Sequence, residues 1–230
     1  MKRLAYLCLQ ATREGQASHA HVHEIIKGLR KRGWAVDLFE PAYAGLAPAP
    51  DPVWRVLEFV RVQLALWGRK KTDVLYVRLH FAGWPTALLA RLRDIRVVQE
   101  VNGPYEDLFI AWPWTRRLAG LFCWLMRSQL RWADAVVAVT PQLAEWAKAQ
   151  GARSVYVIPN GANTEMFRPD AEPDSALKLP RTYVVFFGAL APWQGIDTML
   201  AAVQDPSWPQ EVQLVIVGDG VERTKVEAAS

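Results

Sequence analysis

The chain has 230 residues, 51% of them apolar and 22% charged, with a net charge of +4. That composition excludes a disordered or fibrous chain, and the length suits one large domain or one domain plus a piece of a second. The charge-free apolar run at 118–126 falls far short of the roughly 20 residues that cross a bilayer, and residues 1–9 are too short for a signal peptide before polar residues begin. A cytoplasmic chain is expected. Cys8 and Cys123 stand far apart in apolar surroundings, which suits two buried, reduced thiols. Charge is uneven: residues 1–132 carry 20 Lys and Arg against 11 Asp and Glu, and residues 133–230 carry 7 against 12. The first part therefore either faces an anionic partner, such as a phospholipid surface or a lipid-pyrophosphate acceptor, or is a solvated basic surface.

In chain order, residues 3–9 read as a short strand. A polar loop with Gly15 follows, then an amphipathic helix over 19–32 with Ile25, Ile26 and Leu29 on one face and Gly33 as its stop. Residues 35–39 are a second strand. Four prolines at 41–52 make a loop, and 53–67 reads as a helix with Arg55, Glu58 and Arg61 on its polar side, closed by Gly68 and the basic run Arg69-Lys70-Lys71. Strand 74–77, a helix from Pro85 to about 92, strand 96–101, a long helical zone at 114–132 and strand 135–139 continue the alternation. Thr140-Pro141 is an N-cap with proline at the first helical position, the helix runs to Gly151, and strand 155–158 follows.

Six strands alternating with helices predict an α/β fold, a doubly wound Rossmann-like parallel sheet covered on both faces. Residues 1–168 form this first domain and 169–181 a linker. At 182–230 the β-α-β pattern restarts, with strands at 183–187 and 212–217, as an incomplete second Rossmann-like domain that looks truncated. Ligands bind at the carboxyl ends of strands in such sheets, which directs attention to the loops there. Gly15 lets the backbone approach a ligand beside a helix start, although a lone glycine is also an ordinary turn. His19, His21 and His23 recur at every second position, which scatters them around a helix, so no metal site is expected. The loop Glu100-Val101-Asn102-Gly103-Pro104 is either a binding turn or a plain one.

Three stretches together resemble the bacterial family-four retaining glycosyltransferases of GT-B fold. They are Gly15-Gln16-Ala17-Ser18-His19-Ala20-His21-Val22-His23-Glu24 through Arg32-Gly33-Trp34, then residues 133–140, and then Val157-Ile158-Pro159-Asn160-Gly161 through Pro169, the most specific of the three. The runs from Phe187-Gly188 to Gly195 and Val217-Gly218-Asp219-Gly220 resemble the family's first donor-side loops. The resemblance implies that residues 1–168 lie on the acceptor side. It implies transfer of a hexosyl unit, with retention, from a nucleotide sugar to a hydroxyl of a glycan or lipid-linked acceptor, without a metal or other cofactor. Gly15, Gln16, His21, Asn160, Gly161, Gly188, Gln194, Gly195, Gly218 and Asp219 are then expected at the donor or acceptor. Asn102 stands where many members carry a histidine near the sugar; it can hydrogen-bond a hydroxyl but cannot act as an acid or base near neutral pH.

The family's arginine and lysine for the diphosphate correspond here to Ala189 and Gln194, and its glutamate motif would lie past Ser230. Transfer by the 230 residues alone is therefore not expected. These departures keep a second reading open, a membrane-surface or protein-interaction module that has lost catalysis. A nicotinamide oxidoreductase is excluded by the missing G-x-G-x-x-G. A nucleic-acid partner is not expected, since no basic face with interleaved aromatics can be traced. Arg69-Lys70-Lys71, Trp112-Pro113-Trp114 and Arg116-Arg117 are expected at an anionic membrane face, unless the tryptophans belong to the core.

Overall fold

The computed structural model describes residues 2–10, 12, 14–43, 51–68, 72–171 and 178–229. Strands β1 (Arg3–Cys8), β2 (Ala35–Phe39), β3 (Val74–Arg78), β4 (Arg96–Val101), β5 (Ala135–Ala138) and β6 (Val155–Val157) form one parallel sheet in the order β2-β1-β3-β4-β5-β6. Their alternating side chains separate into two cores, as the period of two dictates. On one face Leu4, Tyr6, Cys8 and Val36 pack under α1 (Ala17–Lys31) through Val22 and Ile26. On the other, Leu7, Leu75, Val77 and Val97 pack under α2 (Pro52–Trp67) through Phe59, Val62 and Leu66. Helix α3 (Trp84–Leu92) adds Ala90 to that second core. Farther along the same face Val101 and Val136 meet Leu130 of α5 (Ala119–Trp132) and Ala147 of α6 (Pro141–Ala149). Among the described residues, one helix thus packs on the first face and four on the second.

The helix starts follow their caps. Thr140 Oγ1 accepts from the Leu143 amide at 3.2 Å, with Pro141 behind it. Asp51 accepts from the Val53 and Trp54 amides at 2.8 and 3.0 Å and sets α2 one residue earlier than expected, at Pro52. Replacing Asp51 by alanine is expected to cost about 1 kcal/mol in denaturant unfolding, because two first-turn amides lose their acceptor. No change in midpoint would show that the cap is idle.

Three expectations need correction. The zone 114–132 is not one helix: α4 (Asp107–Ala111) and a 3-10 segment at Pro113–Leu118 precede α5, with the Thr115 hydroxyl donating to the Trp112 carbonyl at 2.6 Å inside the turn. Glu58 is not on a solvated polar face of α2. It is buried, bound twice by Arg61 at 2.7 and 2.8 Å and by the Ala42 amide at 2.6 Å. Of the two cysteines, both free, Cys8 is buried and Cys123 only partly so.

The chain divides into two compact units between Asn163 and Thr164. The second contains β7 (Tyr183–Phe187), a 3-10 turn (Pro192–Gln194), α7 (Ile196–Gln204), β8 (Gln213–Val217) and α8 (Arg223–Ala229). β7 and β8 pair in parallel as a sheet of their own. Their carboxyl ends are stitched backbone to backbone: Gly188 N donates to Val217 O at 3.0 Å, Leu190 N to Asp219 O at 2.9 Å and Glu222 N to Leu190 O at 3.0 Å.

Candidate functional site

From β1 the chain crosses to β2 on one side, whereas β3 lies on the other, so the loops after β1 and β3 diverge, and in doubly wound sheets this switch point is where the ligand crevice opens. Gly15, in the left-handed region at φ +84°, turns the chain, and Gln16, extended, receives the His19 and Ala20 amides on its carbonyl at 3.1 Å. That start points α1 along the crevice. The row at its floor is set by register: Cys8, Arg78 and Glu100 lie side by side on β1, β3 and β4.

Glu100 is the centre of the site. Its side chain is 1% exposed, yet it receives the Tyr6 hydroxyl on Oε2 at 3.0 Å and, on Oε1, Arg78 Nη1 at 3.0 Å and the Asn102 amide nitrogen. His21 Nε2 lies 2.8 Å from the same oxygen. Burial alone would raise this carboxyl, but the bonds from His21 and Asn102 and the charge of Arg78 outweigh it and hold it down at about 2. At neutral pH Glu100 is therefore a carboxylate that only accepts, and His21 must donate through Nε2. Tyr6 is pushed well above the usual phenol range by burial and by the neighbouring carboxylate, so it keeps its proton and donates. Arg78 also reaches Gln10 Oε1 through Nε at 2.8 Å, tying the loop after β1 to the end of β3.

Such a carboxylate is a poor general base. It orients other groups: Arg78, a cation with donors beyond those two bonds; His21, whose Nδ1 in the neutral ring can accept; and Asn102, whose Oδ1 can accept from a hydroxyl. His80, just after β3, has a different role. Burial lowers it to about 4, it stacks on Phe81 at 4.4 Å between centroids, and its Nδ1 accepts the Ala82 amide at 3.2 Å, capping the 3-10 turn Phe81–Gly83. His19 and His23 are not scattered, as the alternate spacing implied. They are four apart on α1 and their rings meet at 4.0 Å, while His21 turns to Glu100.

Of the expected site residues, His21 and Asn102 meet at Glu100, and Gly15 and Gln16 form the turn that starts the helix carrying His21. Asn160 and Gly161 follow β6 on an exposed segment that Asn163 fastens to α1 through Glu24 at 3.0 Å. Gly188, Gln194, Gly195, Gly218 and Asp219 gather at the carboxyl ends of β7 and β8 in the second unit. Sequence reasoning missed Tyr6, Gln10 and Arg78, and read Glu100 only as part of a loop. The available signal was a charged residue at the end of each of two apolar strand runs, at 78 and 100.

A parallel sheet wound from a switch point, with polar residues at its carboxyl ends and a second α/β unit after it, is a Rossmann-like architecture in two units. The chain belongs to Glycosyltransferase Family 4, whose family model matches residues 18–166. The fold is similar to that of sucrose-phosphate synthase from Thermosynechococcus elongatus, at TM-score 0.77 and 18% identity over 99% of this chain and 67% of that one. It is also similar to HepE from Anabaena in complex with UDP, at 0.63 and 18% over 99% and 64%, and to MurG from Acinetobacter baumannii, at 0.51 and 13% over 100% and 62%. The chain spans roughly two thirds of the length of these structures. No curated protein matches it in sequence.

Proposed function

We propose that the whole protein transfers a hexosyl unit, with retention, from a nucleotide sugar to a hydroxyl of a glycan or lipid-linked acceptor, and that the six-stranded unit serves the acceptor. The observation that carries this reading is the Glu100-centred cluster at the switch point of a Family 4 chain: a fixed cation, a histidine and an amide beside a polar crevice. A new bond forms between the acceptor oxygen and the anomeric carbon on the face from which the diphosphate departs, the bond from that carbon to the diphosphate breaks, and the hydroxyl's proton passes to the departing diphosphate oxygen. His21 and Asn102 orient the hydroxyl.

The donor reading draws on HepE, which was solved with UDP. In this chain the diphosphate meets no side-chain cation at Ala189 or Gln194, so backbone amides carry it. Gly195, left-handed at φ +71°, opens α7, whose first amides have no partner within the helix. Asp197 sits in that first turn, and Lys225, 3.1 Å from both of its oxygens, offsets part of its charge while also pairing with Glu222. No metal has a role in this scheme.

Titrating UDP into the isotope-labelled chain tests the donor half. Amide shifts are expected at Gly188, Gly195, Gly218 and Asp219, with a dissociation constant on the order of 1 mM, the affinity of a few amide contacts. Saturating UDP that leaves these four amides unmoved would remove the donor assignment.

A further inference from the structure

The outer side of α2 is apolar. Val53, Val56, Leu57, Val60 and Leu64 are each at least half exposed and fall within an arc of about 100° on the helix. Opposite them, Phe59, Val62 and Leu66 enter the core. Helices of this kind normally turn polar residues outward, and an apolar stripe facing water marks an interaction surface. It is not isolated. The Arg55 guanidinium lies 5.4 Å from the Trp112 ring centroid, joining the start of α2 to the segment after α4. Beneath, Phe59 meets Phe81, which meets Phe122 of α5, so both segments rest on one aromatic base. That second segment is equally bare: Trp112, Trp114, Leu118, Leu121 and Trp124 are all exposed, and neither Trp112 nor Trp114 belongs to the core.

Arginines dominate the charge around this surface, the exposed carboxylates beside it in the chain being Asp51, which caps α2, and Glu106 and Asp107 at the start of α4. Residues 108–132 contain Arg116, Arg117, Arg127 and Arg131, all exposed, and no Asp or Glu. On α2 the single carboxylate, Glu58, is buried and held by Arg61 and the Ala42 amide. The run Arg69-Lys70-Lys71 lies outside the described residues. No helix among the described residues is long and apolar enough to cross a membrane.

We propose that this surface seats the first unit on an anionic lipid bilayer, with α2 lying in the headgroup plane and Trp112, Trp114 and Trp124 at the water boundary. Half-exposed tryptophans beside arginines suit that boundary, where the ring is apolar and its N–H stays wet. A stripe that lies in the plane needs only about 5–10 Å of penetration. A second copy of the chain fits less well, because a two-fold contact through this face would set its arginines against their own copies. The proposal is independent of the glycosyl-transfer reading, since lipid binding is read without donor or acceptor.

The test is co-sedimentation of the 230-residue chain with vesicles of phosphatidylcholine alone and of phosphatidylcholine mixed with phosphatidylglycerol. Binding is expected to the mixed vesicles, weakening as salt rises. Arg116→Gln with Arg117→Gln should lower the partition coefficient about 30-fold, from about fivefold per basic residue at an anionic surface. Leu57→Gln with Leu64→Gln should abolish binding while leaving the thermal midpoint unchanged or higher, since both side chains already face solvent. Equal binding to the two vesicle types, or full binding by both double variants, would overturn the proposal. So would a concentration-dependent dimer, seen by sedimentation velocity, that the Leu57 and Leu64 changes dissolve.

Discussion

Glu100→Ala is expected to destabilise the first unit by about 3–5 kcal/mol in denaturant unfolding, the cost of breaking a buried ion pair by removing one member. Arg78, 10% exposed, would keep its charge without a counter-ion, and Tyr6, His21 and Asn102 would lose their shared acceptor. The pH dependence follows from the same carboxyl. Folded, it titrates at about 2, against an ordinary 4.5, so on acidification the unfolded chain takes up its proton first. Its contribution, about 3 kcal/mol, is complete above about pH 5 and is lost as pH falls toward 2. Glu100→Gln should remove that part of the acid slope, visible as a flatter plot of stability against pH in this interval. An alanine variant within about 0.5 kcal/mol of the parent would show that the cluster holds nothing together.

The second large effect concerns Gly218. A Cβ there would come far inside van der Waals contact with the Gly188 carbonyl oxygen and 3.1 Å from its carbon, and these are backbone atoms with no rotamer to yield. Gly218→Ala should therefore pry β7 and β8 apart at their carboxyl ends and cost the second unit about 3 kcal/mol, the upper end of overpacking penalties. Gly161→Ala is the matched control: a Cβ at 161 meets nothing within 4 Å, and no change is expected. Hydrogen exchange at 183–187 reads the difference. Unchanged protection there in Gly218→Ala would mean that the two loops do not depend on each other.

Local chemistry explains how much of this was legible in the sequence. The parallel strands were readable as short apolar runs, and Thr140-Pro141 announced its helix because cap and first turn are neighbours in the chain. Helix α2 was found but its outside was misread. Glu58 and Arg61, three apart, look like a solvated ion pair, and only the fold shows the Ala42 amide drawing the carboxylate inward. The site was half visible for a related reason. His21 and Asn102 came from family resemblance, while the residue that organises them bonds partners 94, 79 and 22 positions away, at Tyr6, His21 and Arg78. No window along the chain holds that cluster.

Arg78 and Glu100 face each other as register partners on β3 and β4. Their strands are rich in valine, at 74, 77, 97, 98 and 101, and Val-rich parallel strands can slide past one another with little change in packing. A slip of one residue would turn Glu100 onto the opposite face, among Leu75, Val77 and Val97, and set an uncharged neighbour beside the guanidinium. The misaligned sheet would hold an unpaired carboxylate in apolar surroundings and a guanidinium without its counter-ion, several kcal/mol above the native one. The same pair that orients the crevice therefore proofreads strand alignment during folding.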